Sequence, residues 1–386
     1  MRIMISCGEP SGDLYAAALT SEIRTLEPSV TITGFGGDRL AAAGATLVEN
    51  FSGLSVTGLL EVVRLLPRTY ATYRRLVADA DATPPDVFVA IDFPDFNFTL
   101  ARALKKRGIP IVYYISPQLW AWRSGRMKTM KRVVDRVLVI FPFEESIYRD
   151  AGVPVQWVGH PLFDVQPAPQ PRDRFLSAQG LDPSRPVLAL LPGSRTNELR
   201  EILPDLARAA QLVRQRVPGV QFLVARAPHL HDELLAPIRG LRAQGSPAVI
   251  IDGQADDVLG SADGAVVASG TVTVQAALHQ CPMVVVYRLS PLTYWLGKPF
   301  VHVDTYAMAN LVAGRRVVPE LIQHDFTPES VAREATRLLT DRPYADRMRA
   351  DLREVTNRLG SPGASRRAAE AVLEVAREPV ARSPYP

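Results

Sequence analysis

The segment Leu190-Leu191-Pro192-Gly193-Ser194-Arg195-Thr196-Asn197-Glu198 decides the fold of this chain. It ends the apolar run from Val187, which is typical of a buried strand, and it begins a helix-like segment. A strand that turns through small residues into a helix leaves unpaired N–H groups at the positive end of the helix dipole, and such a turn favours a phosphate. Arg195 adds a fork of charged donors. The alternative, that Gly193 only lets a strand turn into a helix, stays open for one turn alone.

The same pattern recurs at Ala268-Ser269-Gly270-Thr271, after the apolar run Ala265-Val266-Val267. Two such turns in one half of the chain favour a pyrophosphate, as in a nucleotide-sugar. The GxGxxG spacing of a dinucleotide site is absent from the glycine clusters at positions 8–12 and 34–37.

The loop Gly8-Glu9-Pro10-Ser11-Gly12-Asp13 follows the first predicted strand and precedes a helix predicted from Leu14. Open α/β sheets bind ligands at the carboxyl ends of their strands, so we expect this loop to face an interdomain cleft. Ser11 and Gly12 would offer hydroxyl and backbone donors there, with Asp13 near the helix start.

Apolar strand-like runs alternate with helix-length segments along the chain, which predicts βαβ units and parallel sheets. In the first half the predicted strands are Arg2 to Ser6, Thr31 to Phe35, Val87 to Ile91, Ile109 to Ile115, Arg136 to Ile140 and Gln156 to Val158. The Pro-rich stretch 161–171 interrupts the pattern, and strands resume near Val187, Val220, Ala248, Ala265 and Met283. We therefore predict an α/β protein with two doubly wound, Rossmann-like domains. Their bounds are 1–165 and 166–360, followed by a C-terminal helix and tail at 361–386, and C-terminal helices could pack back on the first domain.

The composition fits a globular protein of two domains, with 386 residues, 47% hydrophobic and 22% charged. The start of the chain does not resemble a signal peptide, and no apolar run is long enough to cross a bilayer, so we expect a cytoplasmic protein. Cys7 and Cys281 lie in or beside apolar runs in different halves, which predicts buried, reduced thiols. The net charge of +4 is too small to indicate nucleic acid.

The third predicted strand ends in Ile91-Asp92-Phe93-Pro94-Asp95-Phe96-Asn97. A carboxylate in apolar surroundings can have the raised pKa that a general base needs. Asp95 could equally cap a helix predicted from about Phe96 to Arg107, and this alternative stays open.

Two segments suit a lipid surface. Positions 123–136 carry six cations against one acid, with Lys105-Lys106-Arg107 shortly before them; a solvated helix face is the competing interpretation. Gly53 to Val77 contains an apolar patch flanked by Arg68, Arg74 and Arg75, which could lie in a membrane interface or in the core.

Taken together, these motifs resemble the lipid-A-disaccharide synthases, which are glycosyltransferases of GT-B fold. The resemblance runs nearly end to end. It rests on the loop 8–13, on 91–97, on Ser116-Pro117-Gln118-Leu119-Trp120-Ala121-Trp122-Arg123, on 142–144, on Val158-Gly159-His160-Pro161-Leu162, on the turns 190–195 and 268–271, on Cys281-Pro282-Met283-Val284-Val285, and on 287–288, 310–315 and 319–321.

The resemblance implies transfer of 2,3-diacylglucosamine from its UDP donor onto 2,3-diacylglucosamine 1-phosphate. Inversion would give a β-1,6-linked disaccharide 1-phosphate and UDP, with no metal or other cofactor. The substrates imply peripheral association with the cytoplasmic face of the inner membrane. A homodimer is compatible with the sequence, and no nucleic-acid partner is expected.

The resemblance also assigns site residues. Asp95 aligns with the family's proposed base, with Asp92 as the alternative, and the UDP site would comprise Gly193, Ser194, Arg195, Ser269, Gly270, Thr271 and Gln275. Ser11, Gly12, Asp13 and Asn310 would line the acceptor side. Two departures put donor or acyl specificity in doubt, because Gln275 stands where the family usually has a ribose-contacting Glu, and Met308-Ala309-Asn310 replaces Leu-Pro-Asn.

Two alternatives remain at this point. A UDP-sugar 2-epimerase has the same architecture and the same kind of pyrophosphate-binding site. Its compact polar pocket, however, needs no apolar segment such as 53–66. A non-catalytic acyl-sugar-binding homologue would bind acylated sugar without releasing UDP. Metal catalysis is not expected, since the six histidines form no ligand cluster beyond His229 and His231.

Overall fold

The computed structural model describes residues 1–51, 59–119, 124–228, 230–243, 247–289 and 305–378. The chain forms two compact units. Unit 1 comprises Met1–Val165 and Leu359–Pro386, and unit 2 comprises Gln166–Arg358. The chain therefore leaves unit 1 once and returns to it near its end.

Unit 1 is built on a parallel sheet. Its strands are β1 (Arg2–Ser6), β2 (Thr31–Gly36), β3 (Thr46–Asn50), β4 (Val87–Ile91), β5 (Ile111–Tyr114), β6 (Arg136–Val139) and β7 (Val155–Trp157). Over the described residues they lie in the order β3-β2-β1-β4-β5-β6-β7. All residues of β4 and β5 are buried, because helices cover both faces of a parallel sheet and its central strands are apolar on both sides.

The helices of this part of the chain alternate with the strands. They are α1 (Pro10–Leu26), α2 (Asp38–Ala42), α3 (Leu59–Ala82), α4 (Pro94–Lys105), α5 (Met127–Val133), α6 (Pro142–Asp150) and α7 (Leu162–Val165). Helix α1 begins at Pro10, not at the predicted Leu14, because proline is suited to the first turn of a helix. The motif 8–13 is therefore helical from Pro10 onward.

Unit 2 repeats the plan. Its strands are β8 (Val187–Leu191), β9 (Gln221–Arg226), β10 (Ala248–Asp252), β11 (Gly264–Ala268), β12 (Met283–Tyr287) and β13 (Glu320–Ile322), in the order β10-β9-β8-β11-β12-β13 over the described residues. Its helices are α8 (Arg172–Ala178), α9 (Thr196–Arg216), α10 (Ala236–Ala243), α11 (Ala255–Ser261), α12 (Thr271–Leu278), α13 (Met308–Ala313), α14 (Pro328–Thr340) and α15 (Arg342–Arg358).

The last helix, α16 (Ala364–Arg377), belongs to unit 1 and packs against α1. Its N-cap residue, Gly363, has no side chain to satisfy the first N–H groups. Asp164 supplies a carboxylate instead, and it accepts hydrogen bonds from the N–H groups of Gly363 at 2.5 Å and Ser365 at 2.7 Å. Of the tail helices, only α16 among those described packs back on unit 1, whereas α14 and α15 lie in unit 2.

The alternating strand pattern is confirmed, but the sequence reading missed β3 and β13. Both are edge strands, and β3 is only half-buried or exposed, so neither shows a continuous apolar run. Cys7 and Cys281 are buried and unpaired by disulfide, as predicted. Burial raises the pKa of the Cys281 thiol to about 12, which keeps that thiol protonated.

Candidate active site

The loops after β1 and β4 meet at the point where the strand order of unit 1 reverses. Strand β1 pairs with β2 on one side and with β4 on the other, so the chain leaves β1 and β4 in opposite directions around the sheet. The carboxyl ends of such strands form a crevice that binds ligands in open α/β sheets. The two motifs at 8–13 and 91–97 thus share the predicted edge of the sheet.

Asn97 joins these two strand ends. Its buried Nδ2 donates to the carbonyl oxygens of Ser6 at 3.2 Å, Ile91 at 3.2 Å and Asp92 at 2.8 Å, while its Oδ1 accepts from Ser6 Oγ at 2.6 Å. The Tyr113 hydroxyl adds a hydrogen bond to the Asp92 carbonyl at 2.8 Å. The backbone around Asp92 is therefore fixed by buried polar contacts, and Asn97 positions it without being exposed to a ligand itself.

Asp92 and Phe93 both adopt the left-handed backbone region, each with φ of 46°. Residues other than glycine seldom occupy this region, and two in succession are costly. The ring of Phe93 lies against Gly8, where a Cβ atom would come within 2.5 Å of it. Position 8 is therefore restricted to glycine by the neighbouring loop, and the strained turn places the Asp92 side chain at the end of β4.

Asp95 lies in the first turn of α4 and is not its N-cap, because the helix begins at Pro94 with Phe93 at the cap position. The capping role left open by the sequence is therefore not its role here. Its side chain is 71% exposed and forms an ion pair with Arg126, whose guanidinium also lies 5.9 Å from the centre of the Phe98 ring. The sequence argument for a base in apolar surroundings does not describe this carboxylate.

Asp13 has a structural role that the sequence reading missed. Its buried carboxylate accepts hydrogen bonds from the backbone N–H groups of Gly37 at 2.8 Å, Arg39 at 3.0 Å and Leu40 at 3.1 Å. These are the first N–H groups of α2, so Asp13 caps that helix from α1. Of the three residues assigned to this loop, Ser11 is half-buried, whereas Gly12 and Asp13 are buried.

Unit 2 has an equivalent reversal of strand order between β8 and β11. Gly193, with φ of 117°, turns the chain from β8 toward α9. Ser194 and Arg195 are exposed at this turn, immediately before the helix. The segment 190–198 therefore lies where the strand order of the unit 2 sheet reverses, between β8 and β11.

Glu198 contacts this turn, and the sequence reading did not single it out. Its Oε2 accepts from the N–H groups of Ser194 at 3.2 Å and Arg195 at 3.3 Å, and its Oε1 is 3.5 Å from Arg195 Nη1. A carboxylate three residues after the N-cap position is the signal of a capping box, and it was available in the sequence. The turn therefore already holds an anionic group, which shows that its donors point at one common position.

The second turn of unit 2 follows β11. Gly270 is the N-cap of α12, and a Cβ atom at this position would meet nothing within 4 Å among the described residues. Ser269 Oγ donates to the carbonyl of Tyr306 at 3.1 Å, while Thr271 is exposed and Gln275 is half-buried one turn further along. The two predicted phosphate turns thus follow β8 and β11, which are neighbours in the sheet.

Asn310 is buried and its amide is fully used within unit 2. Its Oδ1 accepts from the N–H groups of Val317 at 2.7 Å and Val318 at 2.9 Å, and its Nδ2 donates to the Val318 carbonyl at 2.9 Å and to Glu320 Oε1 at 2.7 Å. In this conformation the side-chain amide of Asn310 holds the loop around Val317 and Val318, and its assignment to the acceptor side stays a prediction. Glu320 extends this network by accepting from the N–H groups of Tyr306 and Ala307.

Several sequence assignments lie outside the described residues: the tryptophans at 120 and 122, Arg123, His229, His302, positions 53–58 and the side chains of 59–65. In the part of the chain that is described, no group of three His, Cys, Asp or Glu side chains is arranged to hold a metal ion.

Comparison with known proteins gives a consistent result. A sequence profile described as lipid-A-disaccharide synthetase matches residues 3–375. The lipid-A-disaccharide synthase of Myxococcus xanthus (strain DK1622) is 44% identical over 375 residues, covering 97% of this chain and 97% of that protein.

Solved structures agree on the fold. The UDP-GlcNAc 2-epimerase of Neisseria meningitidis, bound to UDP-GlcNAc, has a TM-score of 0.69 at 12% identity and covers 97% of this chain and 100% of its own. The calicheamicin glycosyltransferase CalG4 has a TM-score of 0.60 at 20% identity, with 97% and 98% covered. The predicted two-domain α/β fold of the GT-B type is confirmed.

Proposed function

The chain belongs to the lipid-A-disaccharide synthase family, and from this premise we propose that it transfers 2,3-diacylglucosamine from UDP to the 6-hydroxyl of 2,3-diacylglucosamine 1-phosphate. It is a hexosyltransferase of lipid A biosynthesis. The observation that carries the detailed proposal is the position of the paired motifs. In unit 1 the motifs 8–13 and 91–97, the second with its two carboxylates, lie where the strand order of the sheet reverses. In unit 2 the phosphate-type turns at Gly193 and Gly270 lie at the equivalent reversal.

The turns at Gly193 and Gly270 would hold the pyrophosphate of the donor. Support comes from the N–H groups of Ser194 and Arg195, which already converge on one carboxylate oxygen of Glu198. A phosphate oxygen has the same charge and accepts the same donors. With Arg195, these fixed donors would stabilise the negative charge that develops on UDP as it leaves.

A carboxylate at the end of β4 would accept the proton of the acceptor hydroxyl during a single displacement with inversion. Asp95 is accessible at the first turn of α4, and Asp92 lies on a backbone fixed by Asn97 and Tyr113. Because Asp95 forms an ion pair with Arg126, it can act as a base only when a substrate separates the two side chains. The acceptor's own phosphate is a group that could draw Arg126 away.

We further propose that unit 1 associates peripherally with the cytoplasmic face of the membrane that holds the acylated substrates. Helix α3 buries Leu76 and Ala80 in the core, but Leu66 is 56% and Tyr70 61% exposed. Arg74, one helical turn after Tyr70, is exposed as well. Among the described helices, none has the length and apolar character needed to span a bilayer.

The two cation-rich segments, 105–107 and 123–136, contribute less positive charge to such a surface than their sequence suggests. Lys105 pairs with Asp135 at 2.5 Å, Arg107 with Asp81 at 2.6 Å, and Arg136 with Glu374 at 2.7 Å, all within unit 1. Part of this positive charge is therefore neutralised inside the fold.

The test is UDP release from diacylated and from non-acylated UDP-glucosamine, each with 2,3-diacylglucosamine 1-phosphate. We expect release only with the diacylated donor and in proportion to disaccharide formed. Formation of a 2-epimer without disaccharide would establish the epimerase alternative, although the likeness to epimerases is one of fold at 12% identity. Binding of acylated sugar with no UDP release would establish the non-catalytic alternative.

A further inference from the structure

One face of α4 lies opposite the segment that leads into α5. Asp95, Phe98 and Arg102 are spaced by three and four residues along α4, so their side chains share that face. Arg126 lies across from the first two, because it forms an ion pair with Asp95 and its guanidinium is 5.9 Å from the centre of the Phe98 ring. Thr129 lies across from the third, with its Oγ1 3.5 Å from Arg102 Nη2. Two arginines therefore line this face of unit 1.

Arg126 is held in place by its neighbours in the chain. Met127 packs against the core cluster of unit 1 and Met130 is fully buried, which anchors the segment that carries Arg126. The Arg126 side chain is 25% exposed, whereas that of Asp95 is 71% exposed. A guanidinium that is already positioned loses less conformational freedom when it binds an anion, and its fork of donors matches a phosphate.

Arg126 offsets the negative charge of the carboxylates after β4. Burial raises the pKa of the Tyr113 hydroxyl, and among the charged groups near it Asp92 and Asp95 raise that pKa while Arg126 lowers it. Arg102 differs from Arg126, because in the described parts of the chain it pairs with no carboxylate. It lies seven residues after Asp95, about 10 Å further along the helix. A second anion is therefore favoured on the Arg102 side of the ion pair.

The ion pair must open before Asp95 can act as a base, and opening it is unfavourable unless Arg126 receives another anion. A phosphomonoester can replace the carboxylate, because it carries more negative charge and accepts the same paired donors. The proposed acceptor carries such a group at C1 of the sugar whose 6-hydroxyl reacts. One side chain thereby links binding of the acceptor to release of the base.

We propose that Arg126, assisted by Arg102, binds the 1-phosphate of the acceptor and that this contact separates Arg126 from Asp95. The inference rests on the proposed function, because it takes the acceptor to be a sugar 1-phosphate and Asp95 to be its base. An acceptor without the phosphate leaves the ion pair in place. Arg126 is then a substrate-binding residue that sets the specificity for a phosphorylated acceptor.

The test compares 2,3-diacylglucosamine 1-phosphate with 2,3-diacylglucosamine, each in neutral detergent micelles so that no anionic lipid headgroup competes. Calorimetric titration of Arg126→Gln should show binding of the phosphorylated acceptor weakened by about 10- to 100-fold, because a charge-assisted contact is lost. Binding of the dephosphorylated acceptor should not change. Arg149→Gln is the matched control, because Arg149 is an exposed arginine of unit 1 that pairs with Glu145 at 2.9 Å, and it should bind both acceptors as the wild type does.

Two further variants separate recognition of phosphate from an effect on the fold. Arg126→Lys keeps the charge without the fork of donors and should restore part of the lost affinity. Arg102→Gln should weaken binding of the phosphorylated acceptor alone, by a smaller factor than Arg126→Gln. In steady-state kinetics, Arg126→Gln should convert the dephosphorylated acceptor at least as fast as the wild type, because the ion pair no longer has to open, whereas damage to the fold would slow both acceptors.

A wild type that binds both acceptors equally, or an Arg126→Gln variant that loses the same factor for both or nothing for either, would overturn the inference. The proposed function would stand in each of these cases, provided that the wild type still forms the disaccharide. A wild type that forms no disaccharide from the phosphorylated acceptor would overturn the proposed function, and this inference with it.

Discussion

At the scale of single residues, the candidate site of unit 1 depends on polar groups that are not exposed to ligand. Asn97 joins the ends of β1 and β4, and Asp13 caps α2. Both side chains are buried and hydrogen-bonded to backbone groups, so each fixes a loop that carries another, more accessible side chain. The two proposed functional side chains that are exposed, Asp95 in unit 1 and Arg195 in unit 2, each lie next to the first residue of a helix.

Replacement of Asp95 by Asn should lower the turnover number by a factor on the order of 10² to 10⁴, which is the usual contribution of a general base. The exposed side chain indicates that the fold and the affinity for UDP should not change. Steady-state kinetics with the diacylated substrates measure the effect, and Asp81→Asn, which removes an exposed carboxylate of a comparable ion pair, is the control. Wild-type turnover in Asp95→Asn would mean that the base is another group, with Asp92 the first to examine.

Replacement of Arg195 by Ala should weaken UDP binding by about 10- to 100-fold, because a charge-assisted contact to phosphate is lost. Acceptor binding should change far less. Calorimetric titration with UDP measures this, and Arg200→Ala, an exposed position on the same helix, is the control. An unchanged affinity in Arg195→Ala would remove the turn at Gly193 from the pyrophosphate site.

At the scale of elements, the sequence predicts best where burial is continuous. The central strands β1, β4, β8 and β11 are buried over nearly all of their residues. Their apolar runs are therefore unbroken, and the sequence predicts where each strand ends. The glycine turns after β8 and β11 follow from the same pattern. The contacts of Asp13 and Asn310 could not be predicted, because these side chains bind backbone groups in other segments or loops. The contact of Glu198 could have been predicted, because its spacing from Arg195 is that of a capping box.

The segment between β7 and α7 contains a buried histidine whose effect on stability should depend on pH. Burial lowers the pKa of His160 to about 3, and its Nδ1 accepts from the N–H of Leu162 at 3.2 Å. In the unfolded chain the histidine has a pKa of about 6.5, so between about pH 6.5 and pH 3 its ring is protonated when the chain is unfolded and neutral when it is folded. The stabilising effect of the neutral ring is therefore complete above pH 6.5 and is lost progressively as the pH falls toward 3.

Between pH 7 and pH 5 this linkage should lower the free energy of unfolding by about 2 kcal/mol. His160→Gln should remove that part of the pH dependence, whatever it does to stability at pH 7. Urea unfolding at several pH values measures the slope, and the exposed His231→Gln should leave the slope unchanged. Identical slopes in the wild type and in His160→Gln would show that the ring does not remain neutral in the folded state.

At the scale of the whole molecule, each unit carries one part of the proposed reaction. Unit 1 contains the carboxylates after β4 together with the exposed face of α3, and unit 2 contains both phosphate-type turns. Substitutions on α3 should therefore change lipid binding without changing nucleotide binding. This separation makes membrane association testable independently of catalysis.

The protein should bind anionic vesicles through two components that differ in their response to salt. Each cation near a charged bilayer contributes about 1 kcal/mol and is screened by salt, whereas buried apolar side chains are insensitive to it. Leu66→Ser with Tyr70→Ser should therefore remove the binding that persists at high salt, and Arg74→Gln should reduce only the binding seen at low salt. Sedimentation with vesicles at two salt concentrations separates these components, while calorimetry should show that UDP affinity stays at the wild-type value in both variants. Vesicle binding of the Leu66 and Tyr70 variant that is undiminished at high salt would mean that this face of α3 does not enter the bilayer.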